Sequence, residues 1–263
     1  GRMEADGKAG AGPVAAPAAA AAAAAGGDKK AARQTKRKRD AAGEAEAPEA
    51  KAAKTKATCL AVLGLGNAGE VHSQQRHNIG ARAVAALAAR LGAEVVADVP
   101  AAAGARRKEG GDGRPVLLLA PQGAINDSGK SLQTALAALG HASAAFLVVV
   151  DDCSLPAGTI RLRAKGSCGG HNGLRDVEAA YGQDYHRLKL GVGGKPTKEY
   201  VMGDFAPGEE ADTAERCVER GAQAAEIWLS LGPENAQAVM AKVNSPAFRE
   251  STKELAAAKP PPA

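Results

Sequence analysis

Histidine is the side chain best suited to moving a proton near neutral pH, and His77, within Arg76-His77-Asn78, stands at the end of a polar loop that follows a short apolar run. Taken alone, such a histidine is usually just a polar surface or capping residue. Two further apolar runs end in comparable polar groups. Ile125-Asn126-Asp127-Ser128-Gly129 comes after Leu117–Ala120, and Asp151-Asp152 comes after Phe146–Val150. Asn126 also suits a helix N-cap, a part that Asp127 or Ser128 could fill, and Asp151 a turn acid. A fourth segment, Gly166-Ser167-Cys168-Gly169-Gly170-His171-Asn172-Gly173, is a glycine-rich loop opening a helix. It allows close approach of a ligand to backbone amides, although Asn172 could simply cap that helix. In α/β sheets ligands bind outside the carboxyl ends of the strands. If the three apolar runs are parallel strands, these residues converge on one edge.

Gly64-Leu65-Gly66-Asn67-Ala68-Gly69 formally satisfies a dinucleotide-binding fingerprint. Its context argues against that reading. A polar loop separates the last glycine from the next helix, whereas the fingerprint needs that glycine in the first helical turn, and no acid falls about 20 residues on.

The elements that must position these residues alternate in type. Cys59–Leu63, Pro115–Leu119, Phe146–Val150 and Arg187–Val192 read as buried strands, with Phe146–Val150 central. Glu94–Val99 reads as a further strand, Thr159–Arg163 as a half-exposed one, and the charged stretch Arg106–Arg114 as a hairpin loop. Helical patterns cover Ile79–Leu91, stopped by Gly92, then Ser128–Leu139, Gly173–Tyr181, Glu209–Leu231 and Pro233–Val243. Strands alternating with helices predict a single three-layer α/β domain over residues 58–245, with a mixed, mostly parallel sheet flanked by helices.

Residues 1–57 differ in kind. They are alanine-rich, lack aromatic residues and carry twelve Lys and Arg against seven Asp and Glu, so the whole formal excess of +5 resides there. Such a composition predicts a disordered basic tail, and residues 246–263 read as a C-terminal tail. Lys29-Lys30 with Lys36-Arg37-Lys38-Arg39 suits nuclear import, a non-specific nucleic-acid arm or a solvated linker. No run is long and apolar enough to span a membrane. Cys59, Cys153, Cys168 and Cys217 lack zinc-ligand spacing and are expected to be reduced, packed thiols of an intracellular protein. Nothing in the sequence asks for a metal or cofactor.

Together, and in this order, Gly66-Asn67-Ala68-Gly69, Arg76-His77-Asn78-Ile79-Gly80, Asn126-Asp127-Ser128-Gly129, Asp151-Asp152 and Gly169-Gly170-His171-Asn172-Gly173-Leu174 resemble the bacterial-type peptidyl-tRNA hydrolase family. Arg187–Gly193 and Tyr200-Val201-Met202-Gly203-Asp204-Phe205 resemble its later motifs, and the likeness spans residues 58–245. The resemblance implies an esterase that cleaves peptide, or an N-blocked aminoacyl group, from tRNA and so recycles tRNA. It implies His77 as general base, Asp151 as its orienting carboxylate and Asn126 as the group that polarises the carbonyl or places the water. Asn67, Asn172, Asn78 and His171 would hold the substrate. Arg161, Arg163 and Lys189 would contact tRNA phosphate, with Lys165, Arg175 and Arg187 as further candidates. No serine or cysteine nucleophile is then required.

The chain departs from the family pattern at four places. Ala68 stands where the family has proline, His72 where it has tyrosine, Gln75 where it has threonine and Ile125 where it has methionine. These departures raise an alternative, a hydrolase-like RNA-binding or ribonucleoprotein component acting in organellar intron splicing or at the ribosome. The expected state is a monomer, cytoplasmic or nuclear, with an organelle as the other possibility.

Overall fold

The computed structural model describes residues 57–96, 99, 102–109 and 112–248, with side chains undescribed at 102–107. All of them belong to one compact unit. Apart from residues 57 and 246–248, the two expected tails lie outside the described residues, as does the basic cluster at 29–39.

Among the described residues seven strands form one sheet in the order β2-β3-β4-β1-β5-β7-β6. They are β1 (Cys59–Gly64), β2 (Glu94–Val95), β3 (Ala102–Glu109), β4 (Pro115–Pro121), β5 (Ala144–Asp152), β6 (Ile160–Arg163) and β7 (His186–Gly191). The four central strands β4, β1, β5 and β7 are parallel, whereas β3 and β6 pair antiparallel at the two sides. The expected mixed, mostly parallel sheet is therefore what the chain adopts. Because β1 and most of β5 are buried, their runs are continuously apolar rather than alternating.

Helices cover both faces. Helices α1 (Ile79–Leu91), α5 (Glu209–Leu231) and α6 (Ala236–Val243) pack with Val62, Val149 and Leu188 around Trp228, which is fully buried. The Trp228 indole N–H donates to His186 Nδ1 at 2.7 Å, satisfying the one polar atom that this large side chain buries. On the other face α2 (Ser128–Ala138) and α3 (Asn172–Tyr181) cover Leu63, Leu119 and Val148. A short α4 (Lys198–Met202), capped by the Thr197 hydroxyl, lies between β7 and α5.

Two sequence expectations are corrected. Arg106–Glu109 is part of β3, not of a hairpin loop, because backbone pairing with β4 needs no apolar side chains at a flank of the sheet. The second strand pairs only over Glu94–Val95, short of the expected Val99, and the pairing of β3 with β4 shifts register between Ala103 and Arg106. At the far side of the sheet Asn244 closes the open edge of β6. Its side-chain amide accepts from the Leu162 N–H at 2.8 Å and donates to the Leu162 carbonyl at 3.1 Å, imitating a neighbouring strand.

Candidate active site

The carboxyl ends of β1, β4 and β5 lie on one side of the sheet, since these strands run parallel. The loop after β1 contains two single-turn 3-10 helices, Glu70–His72 and Arg76–Asn78, and the second delivers His77 immediately before α1. Asp151 lies near the end of β5, where its side chain is 3% exposed. His77 Nδ1 is 2.9 Å from Asp151 Oδ1, and His171 Nε2 is 3.0 Å from the same oxygen. The two rings lie 4.8 Å apart.

This geometry sets the tautomers. A carboxylate only accepts, so His77 donates through Nδ1–H and keeps Nε2 as its acceptor. His171 donates through Nε2–H, while its Nδ1 accepts from the Leu174 N–H at 3.3 Å and caps α3. Burial drives the Asp151 carboxyl toward protonation, but the hydrogen bonds and charge interactions with His171 and His77 outweigh it and hold the group well below the usual carboxylate range. The acid stays ionised beside its two imidazoles.

The asparagines divide into two kinds. Asn78, 4% exposed, accepts from the Asn67 N–H through Oδ1 and donates to the Asn67 carbonyl through Nδ2. Both polar atoms of its amide thus help to hold the loop after β1. Both ring nitrogens of His171 are occupied in the same sense. Asn67 Oδ1 accepts from the Ile125 N–H at 2.9 Å, tying the loop after β1 to the 3-10 turn Ile125–Asp127, and Asn67 Nδ2 faces Met202 Sδ at 3.6 Å. Asn126 and Asn172 are both exposed, and Asn126 makes no side-chain hydrogen bond among the described residues. Asn172 is the first residue of α3 rather than its cap, and its Oδ1 accepts from Arg175 Nη1 at 2.7 Å.

Two glycines let these segments meet. A Cβ at Gly173 would lie 2.8 Å from the Ile125 carbonyl oxygen, and one at Gly80 would lie 2.3 Å from that of Val149. The motif glycines therefore mark backbone contacts between neighbouring site elements.

The basic candidates separate as well. Arg161 and Arg163 are the exposed positions of β6. Lys189 lies opposite Arg161 in the pairing of β6 with β7, but its ammonium meets Asp152 Oδ2 at 2.8 Å. Arg187 is 1% exposed. Its Nη1 donates to the Ser167 carbonyl and its Nη2 to the Gln183 carbonyl, and its guanidinium stacks 4.1 Å over the Tyr185 ring. The reading of Arg187 as a phosphate contact is thus corrected: it supports the glycine-rich loop from beneath.

Sequence reasoning missed Met202, which faces Asn67 across the site. Its one sign in the sequence was its place in Tyr200–Phe205, where a methionine beside Tyr200 and Asp204 carries no chemistry of its own. Ligand atoms of His77, Asp151 and His171 lie within 4.8 Å of one another, close enough for a two-histidine, one-carboxylate metal set. As arranged, the two nitrogens facing Asp151 carry protons that a metal would have to displace. Among the described residues no helix is long and apolar enough to cross a membrane. Of the cysteines, Cys59 and Cys217 are buried, and burial pushes their thiols up to about 11 and about 12.

The architecture and the site can be set beside known proteins. The peptidyl-tRNA hydrolase family model matches residues 61–252. The peptidyl-tRNA hydrolase of Mycobacterium tuberculosis is 37% identical over 183 residues, covering 68% of this chain and 95% of that protein. The peptidyl-tRNA hydrolase of a Synechococcus strain is 40% identical over 159 residues, covering 57% of this chain and 76% of that protein. The crystal structure of peptidyl-tRNA hydrolase from Acinetobacter baumannii superposes with a TM-score of 0.62 at 30% identity, covering 72% of this chain and 96% of that one. Family model, relatives and fold agree, and the chain belongs to the bacterial-type peptidyl-tRNA hydrolase family.

Proposed function

We propose that residues 58–245 form a hydrolase domain that cleaves the ester between a peptide, or an N-blocked aminoacyl group, and tRNA, with His77 as general base. The observation that carries the mechanism is the hydrogen bond from His77 Nδ1 to Asp151, which leaves Nε2 as the acceptor. Nε2 takes a proton from water as that water attacks the ester carbonyl, and Asp151 stabilises the resulting imidazolium. Asn126, exposed and with a free amide, polarises the carbonyl as negative charge gathers on its oxygen. Collapse of the tetrahedral intermediate breaks the ester bond. The imidazolium returns its proton to the departing 3′ oxygen, yielding a peptide carboxylate and tRNA. Asn67 and Asn172 flank this path and hold the peptide. Water is the nucleophile throughout, so the raised thiols take no part.

The tRNA is held through its phosphates by Arg161 and Arg163, with Lys189 beside them, since an enzyme of this kind accepts many tRNA sequences. The working species in this reading is a monomer, in the cytoplasm or nucleus, with an organelle as the alternative.

Release of the blocked amino acid from N-acetyl-aminoacyl-tRNA by the full chain tests this reading. Turnover by the unaltered protein, reduced roughly 10²- to 10⁴-fold in His77→Ala and strongly in Asn126→Ala, is the expected result. Absence of turnover in the unaltered chain, with tRNA still bound, would replace the enzyme by the RNA-binding alternative.

A further inference from the structure

We propose that Arg76 is a positioning residue for the general base, fastening the turn that carries His77 to Tyr200 of α4, to Glu210 of α5 and to the segment between them. The proposal rests on the reading of His77 given above. Asp151 sits on a central strand, but His77 hangs from a three-residue 3-10 turn whose N-cap, Gln75, contributes no side-chain hydrogen bond. Something beyond the turn must fix the ring.

Arg76, the preceding residue, is 9% exposed, and its side chain reaches across to residues 200–210. Its Nε and Nη2 both reach Glu210 Oε1, at 3.1 and 2.6 Å, and its Nη1 donates to the Tyr200 carbonyl at 3.3 Å. The guanidinium carbon lies 4.4 Å from the Tyr200 ring centroid and 5.3 Å from that of Phe205. The backbone follows the same path: Arg76 N–H donates to the Gly203 carbonyl at 3.1 Å, and Gln75 bridges Asp204. The receiving segment is itself held. Glu210 Oε2 accepts from the Ala206 N–H at 2.9 Å, and the Tyr200 hydroxyl donates to the Val192 carbonyl at 2.8 Å.

A planar fork that stacks and hydrogen-bonds together cannot be replaced by an ammonium. Arg76→Lys keeps the charge opposite Glu210 but loses the second donor and the stacking. Since Met202 of α4 faces Asn67, the same fastening also places the wall opposite the asparagine.

The experiment uses the full chain with Arg76→Lys, Arg76→Ala and Glu210→Gln. It reads kcat and KM on N-acetyl-aminoacyl-tRNA, thermal unfolding, and the NMR signal of the His77 Nδ1–H donated to Asp151. The expected result for Arg76→Lys is a fall in kcat of roughly tenfold to a hundredfold, the scale of a small misplacement of a reacting group, with KM within about twofold and a weakened Nδ1–H signal. Glu210→Gln should fall between Arg76→Lys and the unaltered chain. Unchanged kcat overturns the proposal, and so does lowered kcat with the Nδ1–H signal intact. If Arg76→Ala does not fold, the lysine and Glu210 variants decide. Should the unaltered chain show no turnover, the functional reading fails, and the Nδ1–H signal alone decides whether Arg76 holds the ring.

Discussion

Asn78 and Asn67 form a closed pair in which one side-chain amide serves both backbone groups of the other residue: Asn67 N–H to Asn78 Oδ1 at 3.0 Å, and Asn78 Nδ2 to the Asn67 carbonyl at 2.8 Å. The pair spans the loop after β1 and brings its first asparagine back against the start of α1. Asn78→Ala leaves a part-buried donor and acceptor unpaired, which costs about 1–3 kcal/mol for each buried group left unsatisfied. Asn78→Asp keeps the acceptor but turns a second acceptor toward the Asn67 carbonyl and buries a charge, so it should cost at least as much. Urea unfolding of both variants measures this, and equal midpoints for Asn78→Ala and the unaltered chain would remove the pair's structural role.

Helix α2 receives its cap from another helix. The Gly129 and Lys130 amides donate to Asp176 Oδ2 at 2.7 and 3.1 Å, while Asp127 provides no cap and the Ser128 hydroxyl donates to the Ile125 carbonyl. Asp176→Ala should therefore destabilise the domain by about 1–2 kcal/mol, as loss of a helix cap does. Asp127→Ala should change stability far less. The opposite ranking in chemical denaturation would show that the local residue caps the helix after all.

At Gly80 a Cβ would lie 2.3 Å from the Val149 carbonyl oxygen, a backbone atom that cannot turn aside. Gly80→Ala is expected to lower stability by roughly 2–3 kcal/mol or more, through overpacking between α1 and β5. Gly123→Ala is the control, since nothing lies within 4 Å of its built Cβ. Thermal unfolding that ranks the two alike would contradict the close approach.

Acid should act through Asp151. Burial raises its carboxyl, but the hydrogen bonds from His171 and His77 lower it further, leaving it below the ordinary value of 3.8. A carboxyl depressed on folding binds fewer protons in the native state than in the unfolded chain, so stability rises with pH across the interval between the two values. Its contribution is complete above about pH 4 to 5 and is lost as pH falls toward the native value. The stability gap between the unaltered chain and Asp151→Asn should narrow as pH falls below about 5, its slope approaching the unit-charge limit of linkage only below about pH 3. A gap that stays constant or widens would show that the carboxyl is not held ionised in the fold.

Arg161 and Arg163 stand exposed on β6, whereas Lys189 is paired with Asp152. Arg161→Ala with Arg163→Ala should weaken tRNA binding and flatten the dependence of log K on log salt by roughly one for each phosphate no longer neutralised. Lys189→Ala should flatten it less, because its charge is already partly met. A salt slope unchanged in the double variant would place the tRNA elsewhere.

The local signals of the main helices are legible in the sequence. The bounds of α1 and α5 follow from apolar periodicity and a stop at glycine; Gly92 closes α1 in the left-handed conformation at φ 57°, where its N–H reaches the Ala88 and Ala89 carbonyls. That His77 and Asp151 meet was legible in part, because parallel strands place their carboxyl ends together and both residues follow such strands. The repeated Arg-x-Arg or Arg-x-Lys alternation in β6 and β7, by contrast, looks the same in both strands. Yet Arg163 is exposed and Arg187, directly opposite it, is buried.

The sequence by itself therefore determined the main helices, the apolar central strands and the polar residues that follow them, since each depends on neighbours a few residues away. The tertiary structure alone decided that His171 shares the Asp151 oxygen with His77, that Asp176 caps a helix 47 residues distant, that Arg187 is covered by the glycine-rich loop, and that Arg76 turns toward α4 and α5. Those outcomes depend on which surfaces cover one another once the chain has folded. A local pattern of residue types carries a side chain's chemistry, but not the partner that will face it.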